Sequence, residues 1–255
     1  MTRLLRRVAR AVLGVERPQV YYLPWLVRPG LECVLMLSNL EARFNTEHNA
    51  GPFSMRVIQY DADGHRRGEH RARLERSTDV LEVKLSASKG AWGFVTVDGD
   101  HVHSDLYVTL SDGDAYAVTH GRQEFVEQYP VWSRAAMAAI GRALALFGRT
   151  VPAFVRHQYA YVGAESRSDL LLLNLSNVTN HVRVATLPAG GSSALLRIPP
   201  MGSHLLNVSR LAEAPAKGTR VVPLRLEGNA WFNLYVVGAV GAAERAAPLS
   251  LMHVK

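Results

Sequence analysis

Cysteine is almost absent from this sequence, since Cys33 is the only one in 255 residues. An internal disulfide needs two cysteines, so a disulfide-stapled scaffold is excluded. Cys33 lies in an apolar run, which favours a buried structural thiol. Long hydrophobic runs are lacking too, because no stretch approaches the roughly 18 apolar residues of a membrane-spanning helix.

Several common enzyme signatures are also missing. The chain has no Gly-x-x-x-x-Gly-Lys-Ser/Thr loop, dinucleotide-binding glycine pattern, Gly-x-Ser-x-Gly elbow or Cys-x-x-Cys pair. Acidic residues are too few to balance the basic ones, which leaves a formal net charge of +7. This charge favours anionic partners, namely nucleic acid, an acidic polymer or an anionic lipid surface.

The most informative feature that is present is an internal repeat, in which residues from about 31 to about 122 have a degenerate echo from about 169 to 255. The corresponding segments share apolar positions and turn residues. They are Leu35–Asn39 with Leu173–Asn177, Met55–Val57 with Val182–Val184, Asp105–Val108 with Asn233–Val236, and His120–Arg122 with His253–Lys255. The repeat predicts two similar structural units.

Each unit consists of short apolar segments separated by turn residues such as Asp61–Gly64. Six or seven strands at this spacing are typical of a small antiparallel sandwich or barrel. The sequence therefore predicts an all-β fold of two tandem antiparallel β-sandwich (jelly-roll-like) domains from an internal duplication. The predicted boundaries are residues 1–18 for an N-terminal helix, 19–128 for the first sandwich, 129–152 for a connecting helix and 153–255 for the second sandwich.

One strong helix is predicted between the repeats. Ser133 is the expected N-cap, and Gly148 stands where the helix should stop. The stripe expected to face the core comprises Met137, Ile140, Leu144 and Phe147.

Residues 2–14 form a basic amphipathic pattern, with Arg3, Arg6, Arg7 and Arg10 on the side opposite the leucines and valines. Three interpretations stay open: a helix docked on the protein body, an anchor on an anionic membrane surface, or a targeting segment.

A metal site is one interpretation of His101, His103 and Asp105. Alternate residues of a strand share a face, so these ligands would project together with Tyr107, and His120 could add a further one. The repeat argues against this interpretation, because Trp231 stands in place of His103 in the second unit. A polar binding face and a solvated sheet without any site are the alternatives.

Two other groups of residues are candidates for ligand binding. Trp231, Asn233 and Tyr235 would form an aromatic and amide stripe suited to sugar rings, with core packing as an equal alternative. Tyr107, His120 and Arg122 could form a pocket for an anionic or hydroxyl-rich ligand. The alternative for the repeated histidine is a bond to the backbone at the end of a strand.

The strongest charge feature is the run from His65 to Arg76, which is expected to form an exposed strand edge. It could bind phosphates or an acidic polysaccharide, or it could simply prevent sheets from aggregating. No aromatic residue is interleaved with the arginines, so stacking on nucleic acid bases and sequence-specific recognition are not expected.

Taken together, the patterns favour a non-catalytic binding or assembly module whose ligand is a carbohydrate or another anionic polymer. No cofactor is expected under this hypothesis. The alternatives are a metal-dependent β-barrel enzyme that uses His101, His103, Asp105 and His120, and a peripheral membrane adaptor held by residues 2–14. A protein partner stays open, and the expected location is cytoplasmic, with the inner face of the membrane as a variant.

Overall fold

A computed structural model describes residues 8, 11–38, 52–76, 79–85, 91–99, 106–113, 116–164, 166–188, 191–240 and 247–253. Strands dominate these residues, and a single long helix separates the two halves. The predicted all-β tandem sandwich with a connecting helix is confirmed. Among the described residues, no helix has the length and apolar character needed to cross a bilayer.

The first half forms two antiparallel sheets. Their strand orders are β4-β3-β6-β1-β9 and β5-β2-β7-β8. The strands are β1 Gln19–Val27, β2 Glu32–Ser38, β3 Phe53–Asp61, β4 Arg66–Leu74, β5 Val80–Leu85, β6 Ala91–Gly99, β7 Leu106–Ser111, β8 Tyr116–His120 and β9 Arg122–Phe125.

The second half repeats the pairings among β1 to β8, but it has no counterpart of β9, and a pairing of β10 with β11 joins its strands into a single sheet. Its order is β13-β12-β15-β10-β11-β16-β17, with β14 paired to β11. The strands are β10 Phe154–Gly163, β11 Ser166–Leu173, β12 Asn180–Thr186, β13 Ser193–Ile198, β14 Ser203–Asn207, β15 Thr219–Gly228, β16 Asn233–Val240 and β17 Ala247–His253. Hence β1 to β8 correspond in order to β10 to β17. The sequence repeat predicts this order from β2 onwards but not the pair β1 and β10. The register also aligns Leu35 with Leu170 rather than with Leu173, because Met36 is paired with Tyr107 and Leu171 with Tyr235.

Alternation of apolar residues builds the core. In β2, Cys33, Leu35 and Leu37 are fully buried, whereas the residues between them are only partly covered. Burial raises the pKa of the Cys33 thiol to about 12, so this cysteine stays protonated and unreactive at neutral pH. The predicted structural thiol is confirmed.

One of the two large hydrophobic clusters contains residues of both halves. Leu171, Leu173, Tyr235 and Val237 belong to the second half by sequence but pack in the hydrophobic cluster of the first. The sheet that carries them is therefore covered on both faces, because Leu170 and Leu172 on the same strand pack in the core of the second half. Apolar packing therefore joins the two halves.

Contacts at the rim extend this interface. The Nη2 atom of Arg28 lies 3.0 Å from a carboxylate oxygen of Asp169, and the backbone N–H of Ser203 donates to the carbonyl of Ala62. Gly64 has a φ of 81°, and a Cβ at this position would collide with the carbonyl oxygen of Pro200. Glycine is thus required by both the turn and the neighbouring half.

The connecting helix spans Val131–Ala145 and differs from the prediction in its cap and in the face that it buries. Its N-cap is Pro130, with no side-chain cap, and Ser133 lies buried inside the first turn. Ile140 and Phe147 were expected in the core and are instead exposed. The reason is Gly141, which lets the helix approach the ring of His181 so closely that a Cβ would collide with it. Gly148, with a φ of 62°, stands at the predicted stop.

Stability is expected to depend on pH through His181, which is buried under this helix. Burial, followed by the charge of Arg197, lowers the pKa of His181. The unfolded chain then binds the proton more readily than the folded protein does. The stability that neutral His181 contributes is therefore present above the ordinary pKa of histidine and is lost as the pH falls. We expect the melting temperature to fall between about pH 7.5 and about pH 5, and to fall less in His181→Gln.

This comparison also controls for His204. Burial lowers the pKa of His204 as well, but that histidine is present in both proteins. An equal loss of melting temperature in the two proteins would contradict the assignment to His181.

Only part of the N-terminal segment lies within the described residues. Val8, Ala11 and Val12 are helical and exposed. Leu13 and Val15 pack on a small cluster formed by Tyr129, Val178 and Ala230. The four arginines of the basic pattern lie outside the described residues.

Candidate functional site

The basic run predicted at residues 65–76 forms β4, the outermost strand of its sheet. Arg71 and Arg73 have side chains that are 77% and 63% exposed. In the register with β3, Arg71 pairs with Arg56 and Arg73 pairs with Ser54. Directly paired residues share a face, so three arginines lie on the same side of two adjacent strands.

Two carboxylates contact these arginines, since Nε of Arg73 lies 3.0 Å from an oxygen of Glu75 and Glu69 contacts the other two. An oxygen of Glu69 accepts hydrogen bonds from the Nε atoms of Arg56, at 3.1 Å, and of Arg71, at 2.8 Å. Arg66 contacts the other oxygen of Glu69. The carboxylates of Glu69 and Glu75 thus face four guanidinium groups, those of Arg56, Arg66, Arg71 and Arg73. The cluster stays positive, so it attracts anions.

The arginines border an open groove. A cavity of about 510 Å³ is lined by Arg56, Arg71 and Arg73, and by small or apolar residues otherwise. Guanidinium groups present paired donors that match sulfate, phosphate and carboxylate groups. We call this cavity, with its three arginines, the arginine groove.

The second half carries a groove beside Arg183, the equivalent of Arg56, but it lies across β12 and β15 rather than across β3 and β4. A cavity of about 360 Å³ is lined by Arg183, Arg225 and Glu227, among others. Arg183 pairs with Glu227 just as Arg56 pairs with Asp98 in the first half. Sequence reasoning did not single out these arginines, although the alignment of Met55–Val57 with Val182–Val184 places Arg183 opposite Arg56.

The predicted aromatic stripe lies between the two halves. Asn233 and Tyr235 are buried, and Trp231 is partly buried. The ring of Tyr235 meets that of Tyr22 edge to face, with centroids 6.2 Å apart. These side chains therefore fill an internal interface and do not present a flat surface to a glycan. Of the two alternatives in the sequence, core packing describes the observed position.

Arg156 is the residue at this interface that sequence reasoning missed. Its guanidinium lies 4.8 Å from the centroid of the Trp231 ring, and its Nη2 donates to Oδ1 of Asn233 at 3.0 Å. Burial lowers the pKa of Arg156, and burial also raises the pKa of Tyr235. Arg122 is the cross-strand partner of Tyr22, whose ring meets that of Tyr235, so the structure brings this predicted residue near the stripe.

Tyr107 and His120 lie elsewhere, on the outer face of the sheet β5-β2-β7-β8. They are cross-strand partners, and Tyr107 is 42% exposed. The Nδ1 atom of His120 lies 2.9 Å from the carbonyl oxygen of Gly121. This geometry matches the backbone-bonded histidine. Arg122 lies on β9, in the other sheet of the first half.

The metal hypothesis concerns residues outside those that the structure describes, namely His101, His103 and Asp105. Within the described ranges, no group of three or more potential ligands is placed to hold a metal ion. The metal site stays a prediction.

Comparison with known proteins adds no family. No protein-family model matches this chain, and no curated protein matches its sequence significantly.

Proposed function

We propose that this protein is a non-catalytic binding module for an anionic polymer, with the arginine groove as the principal site. The observation that carries the proposal is the placement of Arg56, Arg71 and Arg73 on one face of two adjacent strands at an open sheet edge. Anionic groups on a polymer would replace water around these guanidinium groups and gain charge-assisted hydrogen bonds.

An extended ligand fits this surface better than a single ion does. The groove is open, and two further exposed arginines flank it. Arg67 lies on β4 and contacts Asp61, whereas Arg76 follows the end of β4 and contacts Asp79. A polymer with regularly spaced charges can contact several of them at once and gains avidity from each additional contact.

The chemistry favours an acidic polysaccharide over nucleic acid. No aromatic ring stands among the described residues that line the groove, and bases bind to exposed strand surfaces chiefly by stacking on such rings. Sulfate or carboxylate groups need only the guanidinium forks that the groove supplies.

Replacing all three groove arginines by glutamine should weaken polymer binding about 30-fold, at roughly 0.7 kcal/mol for each exposed ion pair lost. The measurement is titration of dextran sulfate, hyaluronan and a DNA oligomer into wild type and R56Q/R71Q/R73Q. The affinity of the wild type should also decline with added salt, because salt screens exposed charges.

The matched control removes the same charge elsewhere, as R134Q/R142Q/R149Q at exposed positions in and after the connecting helix. Equal weakening in both triple variants would show attraction by net charge alone and would reject the groove as the site. Failure of wild type to bind any of the three polymers at low salt would reject the function, and preference for DNA would reject the polysaccharide.

A further inference from the structure

We propose that copies of this chain associate head to tail, through exposed faces equivalent to the two faces that already pack together between its halves. One copy would contribute the outer face of β2, β7 and β8, called here the head face. The next copy would contribute the outer face of β10 and β15, called here the tail face. This inference does not depend on the polymer-binding proposal.

The internal interface supplies the pattern. The first half contributes the outer side of β1 and β6, where Tyr22 is paired with Thr96 and Pro24 with Phe94. All four of these residues are buried. The second half contributes β11 and β16, where Leu171 is paired with Tyr235. The contact between Tyr22 and Tyr235 joins the two surfaces.

Strand register identifies the equivalent of the first surface in the second half. Asp98 of β6 corresponds to Glu227 of β15, because each is paired with the arginine of its neighbouring strand. Counting back equally far from these two positions leads to Phe94 on β6 and to Pro223 on β15. Their cross-strand partners are Pro24 and Tyr159, so the pair Pro24 and Phe94 corresponds to the pair Tyr159 and Pro223.

The tail face is therefore the counterpart of a buried docking surface, yet it is open. Tyr159 is 63% exposed, and the next cross-strand pair, Tyr161 and Val221, is exposed as well. On β10 these outward residues alternate with the buried Ala160 and Val162. Two large aromatic rings and a valine on one open sheet face are unusual for a surface that meets only water.

The head face is the counterpart of the other surface. Tyr107 corresponds to Tyr235 in the repeat, and its cross-strand partner Met36 corresponds to Leu171. Beside them on β8, Tyr116 is 76% and Val118 50% exposed. Both halves of the internal interface thus have an exposed equivalent on the same molecule.

A second copy is the occupant that the structure specifies, because each exposed face matches one partner of an interface already present within the chain. Since head and tail are different surfaces, the contact is heterologous and leads to open chains or rings rather than to a two-fold dimer.

Sedimentation velocity and light scattering on the full-length protein test this proposal. The average mass of the wild type should rise with concentration up to about 1 mM, as a dissociation constant of roughly 100 µM would give. Tyr107→Arg removes the head and Tyr159→Arg removes the tail, and each variant alone should stay monomeric. An equimolar mixture should form a dimer and nothing larger, because each variant keeps the face that its partner lacks.

Trp132→Arg is the matched control, since it places the same charge on an exposed aromatic position of the connecting helix. It should associate like the wild type. A wild type that stays monomeric at every concentration would overturn the proposal. So would a Trp132→Arg variant that no longer associates, or an equimolar mixture of Tyr107→Arg and Tyr159→Arg that forms no dimer. Melting temperatures near that of wild type verify folding, and unchanged binding of polymer by Tyr159→Arg keeps this test separate from that of the arginine groove.

Discussion

Replacing Leu171 by alanine should lower the free energy of unfolding by about 3 kcal/mol, the usual cost of a cavity at a fully buried leucine. Leu171 is completely buried, and it packs in the core of the first half although it belongs to the second. Because the core is shared, wild type and variant should each unfold in a single transition. Denaturation followed by tryptophan fluorescence measures this, since Trp25 and Trp92 lie in the first half and Trp231 in the second.

The neighbouring residue provides the control. Leu170 is equally buried but points into the core of the second half. Leu170→Ala should cost a similar free energy without weakening the contact between the halves. If the two halves of Leu171→Ala unfold at the wild-type midpoint, the shared core does not carry the stability assigned to it.

Replacing Glu127 by alanine should lower the free energy of unfolding by about 3 to 5 kcal/mol, the range measured when one partner of a buried charged group is removed. Glu127 is fully buried just before the connecting helix. One carboxylate oxygen accepts from the hydroxyl of Tyr129 at 2.9 Å and from the backbone N–H of Trp231 at 3.3 Å. The other lies 3.8 Å from Nε of Arg17. Alanine leaves these donors buried without their acceptor.

Chemical denaturation of Glu127→Ala beside Glu213→Ala tests this expectation, because Glu213 is exposed and its removal should change stability by less than about 0.5 kcal/mol. A loss below about 1 kcal/mol in Glu127→Ala would mean that water or other groups satisfy the donors.

The sequence predicts β2 and β11 from their compact apolar runs and misses β1 and β10, the first strand of each half. β1 escapes detection because Leu23 to Leu26 are buried without interruption, with Pro24 among them. The physical cause is the second half, which covers the outer side of β1, a fact that no local pattern contains.

Candidate sites show the same limit. Alternation places Trp231, Asn233 and Tyr235 on one face, but only tertiary structure shows that the first half covers this face. The arginine groove is more local, since Arg71 and Arg73 belong to an evident basic strand. Its third member, Arg56, needs the register between β3 and β4. The sequence repeat could have identified Arg183 as the equivalent of Arg56, because aligning the two repeats needs no tertiary information.

The shared core has a consequence for the order in which the protein matures. Synthesis proceeds from the amino end, so Tyr22 and Phe94 leave the ribosome long before Leu171 and Tyr235, which complete their surroundings. Until then the nascent first half carries an uncovered apolar sheet face, the kind of surface that chaperones bind. The second half covers this face once it has been made, in the role that a separate assembly partner has in other proteins.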